Sequence, residues 1–600
     1  MYLNISIFSL TWKPQAWYNK ANQLQLICSF VPRYRLFHHA ADPFKEKRPW
    51  AFAIPWRTGE AFITVRTNNC IKKGKTIMKK LFAVIVALML VFSVTSALAV
   101  IADNPSAAAT QPVAQTEAGK LIGFMRGSTY CFWGVDYAYA NRFEAPQPVE
   151  PWEGYKFAQS YGCISLIPDQ TAVGADEFVW PHRYWIQNDH CQNLNIWTQS
   201  LDASAKKPVV IFYHGGGWNN GSSIESTAYD GQRLSEYGDV VVVTVNHRLN
   251  VVGFLDMTAF GGNFARNVGA LDLAASVEWV YKNIENFGGD PGNITIFGQS
   301  GGGSKVATLL RMPAVSGMIK NAGMQSGGGL TMQSSVESAQ LVGKKTAEIL
   351  GLTEENIAEI QTMDYRAVYA AAQQALRELR GSEGFTFSFG PVADDENVMT
   401  EFVNTNGLNL IISGMYSENS VPSYKYGDFR HHDWTEEETK AKLAERFGDK
   451  ADALLAEWQK LYPALDAREL YFYNNTMNGK WNTAKGFTER GANVWLYEFD
   501  YEAPVNGGIT AFHCEDLLFI FHNVDDPMCA IAYSGDPNAY IVQEAISGAW
   551  VNLLYNGTPS TDALPWAQYE IDGHQCMLFD VESKCVDHDT TAYTAILNAK

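Results

Sequence analysis

The stretch NITIFGQSGGGSKVATLL, residues 293–310, places Ser300 between an apolar run typical of a strand and a run typical of a helix. Gly298, Gly301 and Gly302 flank that serine. A sharp strand-to-helix turn needs such small residues because its backbone angles are unfavourable and its packing is close. This context predicts a nucleophile elbow of the GxSxG type. A bare GxSxG match also arises by chance in flexible loops, so other parts of the sequence are needed to distinguish a nucleophile elbow from such a loop.

Strand-like and helix-like segments alternate along the chain on both sides of this turn. Runs rich in Val and Ile predict strands at residues 208–214, 239–248, 293–298, 408–413 and 493–500. Residues 267–287 have the pattern of an amphipathic helix between two of them. Apolar strands that alternate with helices indicate a mainly parallel sheet covered on both faces, which is an α/β architecture.

Two helical regions are predicted as insertions between core strands. The first spans residues 336–375 and the second residues 434–461. The second opens with Thr435 as N-cap and Glu438 three residues on, which is the pattern of a capping box. Insertions of this kind usually cover a site.

A serine nucleophile also needs N–H donors for the negative charge that develops on the substrate oxygen. The segment YHGGGW, residues 213–218, follows the strand-like run PVVIF. Its consecutive glycines allow the N–H groups of Gly216 and Gly217 to face that oxygen, and Gly301 supplies a third donor. A solvent-exposed glycine turn is the alternative, but both glycine loops leave the ends of strands.

The base is expected last along the chain, because the order in this architecture is serine, acid, histidine. His513, in TAFHCEDLLFIF at residues 510–521, comes a short loop after the strand predicted at 493–500 and is the predicted base. His522 sits in an apolar run, and His431 and His432 have the character of solvated loop residues ahead of a helix.

The acid should also follow a strand. Glu418 comes shortly after the run at 408–413 and is the predicted acid, with Asp395 in reserve after a less strand-like segment. Most carboxylates are surface charges, so the choice of Glu418 as the acid rests on its position along the chain.

Nine blocks of sequence, taken together, are far more specific than one GxSxG. They are FWGVDYA (132–138), CQNLNIW (191–197), YHGGGW (213–218), VNHRLNVVGFL (245–255), NFGGDPGNITIFGQSGGG (286–303), MQSGG (324–328), FGPVADD (389–395), TAFHCEDLLFIF (510–521) and WVNLLYNGTPS to LPWAQY (550–569). In this order they resemble the type-B carboxylesterases, which include bacterial para-nitrobenzyl esterases and the animal cholinesterases. The resemblance implies an α/β-hydrolase fold with inserted helical segments over the active site.

At matching positions the resemblance implies an ester-hydrolysing site. Its parts are the nucleophile Ser300, the acid Glu418, the base His513, and the oxyanion donors Gly216, Gly217 and Gly301. The family usually has Glu before the nucleophile and Ala after it, where this chain has Gln299 and Gly301. Loss of that carboxylate weakens the case for a cationic substrate.

Cysteine positions suggest two disulfides. The family's N-terminal disulfide falls on Cys163 and Cys191, so the resemblance implies a bond there. Cys576 and Cys585 flank a predicted hairpin and could also pair. The chain shows no CxxC or HxH spacing, and no metal site is predicted.

The N-terminal region has the features of an export signal. Residues 78–99 begin with a methionine and two lysines, continue into an apolar stretch and end in small residues, as a secretory signal peptide does. Residues 1–77 precede that signal and are predicted to be a non-native extension. Residues 100–117 are predicted to be a flexible leader to one domain over 118–600. The protein is therefore predicted to be secreted.

Charge limits the partners of the protein. The formal net charge is −18, and it is more negative still beyond residue 99, because basic residues predominate before that point. An acidic surface repels nucleic acid and anionic membrane, so neither is predicted as a partner once the signal is cleaved.

Together these features predict a secreted serine esterase that acts on small-molecule esters through an acyl-enzyme and needs no cofactor. The alternatives are a non-catalytic, cholinesterase-like binding or adhesion protein, and a lipase or thioesterase of the same fold. The sequence does not specify an oligomeric state.

Overall fold

The computed structural model describes residues 111–169, 180–332, 334–418, 428–529, 532–533 and 535–599. The predicted signal peptide and the extension before it lie outside the described residues. The described strands are β1 (Val113–Gln115), β2 (Lys120–Ile122), β3 (Phe124–Arg126), β4 (Thr129–Asp136), β5 (Tyr155–Phe157), β6 (Asn193–Thr198), β7 (Lys207–Tyr213), β8 (Val241–Val245), β9 (Gly289–Gln299), β10 (Asn321–Gln325), β11 (Asn409–Met415), β12 (Asn493–Phe499), β13 (Gln575–Phe579) and β14 (Lys584–Asp587).

Eleven of these strands form one sheet in the order β14-β13-β12-β11-β10-β9-β7-β8-β6-β4-β3. The neighbouring pairs from β8 across to β13 are all parallel. The pairs at the two ends of the sheet are antiparallel. Strands β7, β8, β10 and β11 are buried along nearly their whole length, as strands covered on both faces are.

Helices fill the intervals between the strands, and several of them pack directly on the sheet. The described α-helices are α1 (Gln232–Gly238), α2 (Asn250–Phe254), α3 (Val268–Asn283), α4 (Gly301–Leu309), α5 (Val336–Ile349), α6 (Tyr365–Leu379), α7 (Glu436–Phe447), α8 (Ala451–Leu461), α9 (Met477–Thr488), α10 (Glu515–Ile520), α11 (Pro537–Asn556) and α12 (Thr591–Asn598). This confirms the predicted α/β architecture. No helix in the described ranges has both the length and the apolar character that crossing a membrane requires.

The inserted regions are helical, as predicted. The first forms α5, a short 3-10 helix over Ile357–Gln361, and α6. The second forms α7 and α8, and α7 begins with a capping box in which Thr435 and Glu438 bond each other's backbone N–H groups.

The folded body begins earlier than predicted. Strand β1 pairs antiparallel with β2, and β2 pairs in parallel with β5, which together make a small second sheet. Ala114 in β1 is buried. The leader predicted to be flexible up to residue 117 is therefore ordered from Val113, because backbone hydrogen bonds to β2 hold it.

Neither suggested disulfide is formed, because the seven cysteines of the described residues are free thiols. Cys163 and Cys191 do not pair, and burial raises the pKa of the Cys191 thiol, which disfavours the thiolate from which a disulfide forms. Cys585 lies opposite Met577 in the antiparallel pair of β13 and β14. Side chains alternate between the faces of a strand, so Cys576 points to the face opposite to Cys585.

Candidate active site

Ser300 lies in the one-residue turn between β9, which ends at Gln299, and α4, which begins at Gly301. Its φ of 58° and ψ of −124° are unfavourable for a residue with a side chain. Close packing explains the flanking glycine at 302, where a Cβ atom would lie 2.0 Å from the carbonyl oxygen of Tyr213. The predicted elbow is therefore present, and the strained backbone holds the serine at the end of a central strand.

The glycine loop after β7 packs directly on the elbow. Gly216 and Gly217 have φ of 77° and 60°, in the left-handed region that glycine tolerates best. A Cβ atom at Gly301 would lie 2.4 Å from the Cα atom of Gly217, and one at Gly215 would lie 3.4 Å from the Cβ atom of Ser300. The three predicted oxyanion donors thus belong to two backbone segments that touch beside the serine.

A buried lysine supports the glycine loop, and the sequence analysis missed it. The Nζ atom of Lys305, one turn into α4, donates hydrogen bonds to the carbonyl oxygens of His214 (2.7 Å), Gly215 (3.3 Å) and Gly217 (3.0 Å). Its three ammonium hydrogens match these three acceptors. Burial lowers the pKa of Lys305 to about 7, against the opposing effect of Glu225. The available signal was a lysine that is the one charged residue of this helix.

Glu418 and His513 meet as predicted. Glu418 follows β11, His513 precedes α10, and the glutamate Oε2 atom is hydrogen-bonded to the histidine Nδ1 atom. Burial lowers the pKa of His513, but the hydrogen bond and charge of Glu418 outweigh this effect and leave that pKa above its ordinary value. Burial raises the pKa of Glu418, whereas His513 opposes this and leaves it below its ordinary value. The pair is therefore a carboxylate that holds an imidazole and stabilises its protonated form.

The ring of His513 lies against Gln299, the residue just before the elbow. The nitrogen of the Gln299 side-chain amide lies 3.3 Å from the His513 Nε2 atom and 3.4 Å from its Nδ1 atom. The Cys514 thiol donates to the side-chain Oε1 atom of Gln299 at 3.0 Å. Within the described residues, the hydroxyl of Ser300 is not hydrogen-bonded to His513. Catalytic hydrogen bonds are often long or misaligned in the free enzyme, so this geometry is compatible with a base role.

The reserve acid and the other histidines lie elsewhere. Asp395 accepts a hydrogen bond from the backbone of Thr400, whereas His522 is bonded to the Ser547 hydroxyl. His431 was predicted to be a solvated loop residue, which is wrong. Its ring is fully buried, and its Nε2 atom lies 3.0 Å from Glu469.

A cavity of about 370 Å³ runs along the nucleophile helix. Trp218, which follows the glycine loop, Thr308 of α4 and Arg311, just beyond the end of α4, line one part of it. Gly328 and Met332 from the segment after β10 line another part. The cavity joins the glycine loop and the elbow helix, so it is a candidate pocket for one side of a substrate.

The fold and the arrangement of serine, histidine, carboxylate and glycine loop define a serine hydrolase of the α/β-hydrolase class. The carboxylesterase family model matches residues 110–595, and the chain belongs to the carboxylesterase family. Its activity is therefore the hydrolysis of carboxylic esters by a serine esterase.

Individual relatives agree with this assignment over nearly their whole length. The para-nitrobenzyl esterase of Bacillus subtilis (strain 168) is 29% identical over 487 residues, which cover 79% of this chain and 96% of that protein. The phenmedipham hydrolase of Pseudarthrobacter oxydans is 27% identical, with 80% and 97% covered. A solved esterase from anaerobic Clostridium hathewayi, which can hydrolyze aliphatic aromatic polyesters, has a TM-score of 0.76 and 33% identity, with 81% and 98% covered.

Proposed function

We propose that this protein is a secreted esterase that hydrolyses small-molecule esters through an acyl-enzyme on Ser300, with His513 as base and Glu418 as acid. The observation that carries the proposal is the hydrogen bond of Glu418 to His513, whose ring lies against the residue preceding the strained serine. A histidine held in this way has the role of the general base of a catalytic triad.

In the first step the Ser300 oxygen attacks the ester carbonyl while the Nε2 atom of His513 takes its proton. For this transfer the His513 ring leaves its contact with Gln299 and turns its Nε2 atom to the serine. The negative charge that develops on the carbonyl oxygen is stabilised by the N–H groups of Gly216, Gly217 and Gly301.

In the second half of the reaction His513 returns its proton to the leaving alcohol, and the acyl group stays on Ser300. The same histidine then removes a proton from water, which attacks the acyl-enzyme. The bond between the acyl carbon and the Ser300 oxygen breaks, His513 gives its proton to that oxygen, and the acid is released. Glu418 remains a carboxylate throughout and stabilises the imidazolium that forms in each step.

The test compares Ser300→Ala with Ser316→Ala, a change at an exposed serine that does not line the cavity. With a graded series of p-nitrophenyl esters, Ser300→Ala should lower kcat by roughly 10⁴-fold or more and abolish labelling by a fluorophosphonate. Ser316→Ala should keep both. A Ser300→Ala protein that is still labelled would refute the assignment of the nucleophile. An inert but folded wild-type protein would favour a non-catalytic binding role.

Export rests on the sequence of residues 78–99 and has its own test. Protein recovered from the medium of the expressing cells should begin after Ala99, as read by N-terminal sequencing. A protein that keeps this segment, or that stays inside the cells, would contradict secretion without affecting the esterase assignment.

A further inference from the structure

Three segments distant along the chain bring two histidines and two glutamates to one point away from Ser300. His431 and His432 lie in the 3-10 segment Asp428–Asp433, Glu469 lies in a second 3-10 helix, and Glu502 lies in the loop after β12. One possible ligand atom from each residue lies within 4.8 Å of all the others. His431 and Glu469 are buried, whereas His432 and Glu502 are partly exposed. The cluster is therefore closed on the side of the first two residues and open to solvent on the side of the other two.

The separations between these atoms fit a small metal ion. The Nε2 atom of His431 lies 3.0 Å from Glu469 Oε1 and 3.8 Å from Glu502 Oε1. The Nε2 atom of His432 lies 2.7 Å from Glu502 Oε1. Tetrahedral zinc with bonds of about 2.0–2.1 Å requires ligand atoms about 3.3 Å apart. These three separations lie on either side of that value, and all four ligand atoms lie within 4.8 Å of one another, so side-chain movements would have to close the longer separations to complete the shell.

We propose that His431, His432, Glu469 and Glu502 form a binding site for a divalent transition metal ion of the zinc type. Two imidazoles favour such an ion over calcium or magnesium, which prefer ligand sets made of oxygen atoms. Two carboxylates balance the two positive charges of the ion, which makes the partly buried assembly neutral. Without an ion, the same residues form two histidine–glutamate hydrogen bonds, and this is the competing interpretation.

A glycine makes room for the cluster. A Cβ atom at Gly508 would lie 1.7 Å from the Oε1 atom of Glu502 and 2.8 Å from the Nε2 atom of His432. Gly508 has a φ of 117°, which residues with side chains rarely adopt. The space that two of the four ligand atoms occupy therefore exists only because this position lacks a side chain.

The site joins two parts of the molecule that flank the catalytic pair. Glu502 and Gly508 belong to the loop that leads from β12 to His513, and a bridge between Ala503 and Ile509 closes this loop. The histidine ligands lie directly before the second insertion, which begins at residue 434 and comes after Glu418 along the chain. A bound ion would tie the His513 loop to this insertion and so position the catalytic histidine indirectly.

The experiment measures metal content and thermal stability of the purified protein. After incubation with Zn²⁺ and removal of free metal by gel filtration, mass spectrometry should find about one zinc ion per wild-type chain. His432→Ala and the isosteric Glu502→Gln should each lose that ion. His574→Ala is the matched control, because His574 also lies near two carboxylates, Asp587 and Asp589, but outside the cluster. It should retain zinc like the wild type.

Linkage supplies a second readout. The unfolding midpoint of the wild type should rise with the logarithm of the free zinc concentration and fall after treatment with EDTA. In His432→Ala and Glu502→Gln the midpoint should no longer respond. A wild-type protein without stoichiometric zinc, or variants that keep both the ion and the response, would overturn the metal site in favour of two hydrogen-bonded pairs. Either result leaves the role of Ser300 unaffected, because the fluorophosphonate test is independent of zinc.

Discussion

Replacing Gly301 by alanine should damage the oxyanion hole, although alanine is the usual residue at this position in the carboxylesterase family. A Cβ atom at this position would lie 2.4 Å from both the Cα and the carbonyl oxygen of Gly217, and 2.5 Å from its nitrogen. An ordinary contact is about 3.4–4 Å. The backbone of Gly217, which has no flexible side chain to move instead, would therefore have to shift by about 1 Å.

That shift moves a proposed oxyanion donor out of reach of the developing charge. Removal of one such donor costs about 10²–10³-fold in kcat, or about 2.7–4 kcal/mol of transition-state stabilisation. We therefore expect Gly301→Ala to lower kcat for a p-nitrophenyl ester by about 10²-fold, with a much smaller change in KM. The rate of fluorophosphonate labelling at Ser300 should fall as well, because that reaction also develops negative charge on an oxygen held in the hole.

Gly479→Ala provides the control. Gly479 lies in α9, and nothing lies within 4 Å of where its Cβ atom would be. This change should leave kcat unaltered and stabilise the helix by about 0.5–1 kcal/mol. A Gly301→Ala protein with kcat within a few-fold of the wild type would refute the reasoning. It would mean either that the glycine loop can shift without a loss of kcat or that Gly217 is not an oxyanion donor.

Two further changes test the groups around the site. Gln299→Glu places a carboxylate beside the Nε2 atom of His513, which should raise the pKa of that histidine further. Because the base acts in its neutral form, the acidic limb of kcat/KM against pH should move up by about 1–3 pH units; an unmoved limb would contradict His513 as the base. Lys305→Met leaves the carbonyl oxygens of the glycine loop without their donor, so kcat should fall by roughly 10-fold and the free energy of unfolding should decrease. In the wild type, the pKa of Lys305 is about 7 in the folded protein and near 10.5 in the unfolded chain. Between pH 7 and 9 the unfolded chain therefore binds one proton more than the folded protein, so the free energy of unfolding should increase by about 2 kcal/mol as the pH rises across this range. Urea unfolding should show this gain in the wild type and not in Lys305→Met, and an equal gain in both would contradict the shifted pKa.

Local and sequential patterns were enough to predict the elbow and the order of the catalytic groups. The apolar run before Ser300 and the glycines around it specify a strand-to-helix turn through backbone sterics alone, and the structure has that turn. Glu418 and His513 were identified by their positions after successive strands. Parallel neighbouring strands end at the same edge of a sheet, so β11 and β12 bring these two segments together.

Tertiary packing determined which distant residues are in contact, and the spacing of residues along the chain does not predict those contacts. The role of Lys305 depends on three carbonyl oxygens that face it from another loop, and the contact of Gln299 with His513 joins residues 214 positions apart. The suggested pairing of Cys576 with Cys585 failed because strand register sets the face to which each side chain points, and sequence distance does not specify register.

The sequence alone therefore determined the architecture, the family and the candidates for nucleophile, acid and base, because these depend on local backbone preference and on order along the chain. Only the folded structure decided which buried polar groups meet. The cluster of His431, His432, Glu469 and Glu502 exists because segments up to about 70 residues apart pack together. Packing of that kind is set by the whole core at once, and no short motif records it.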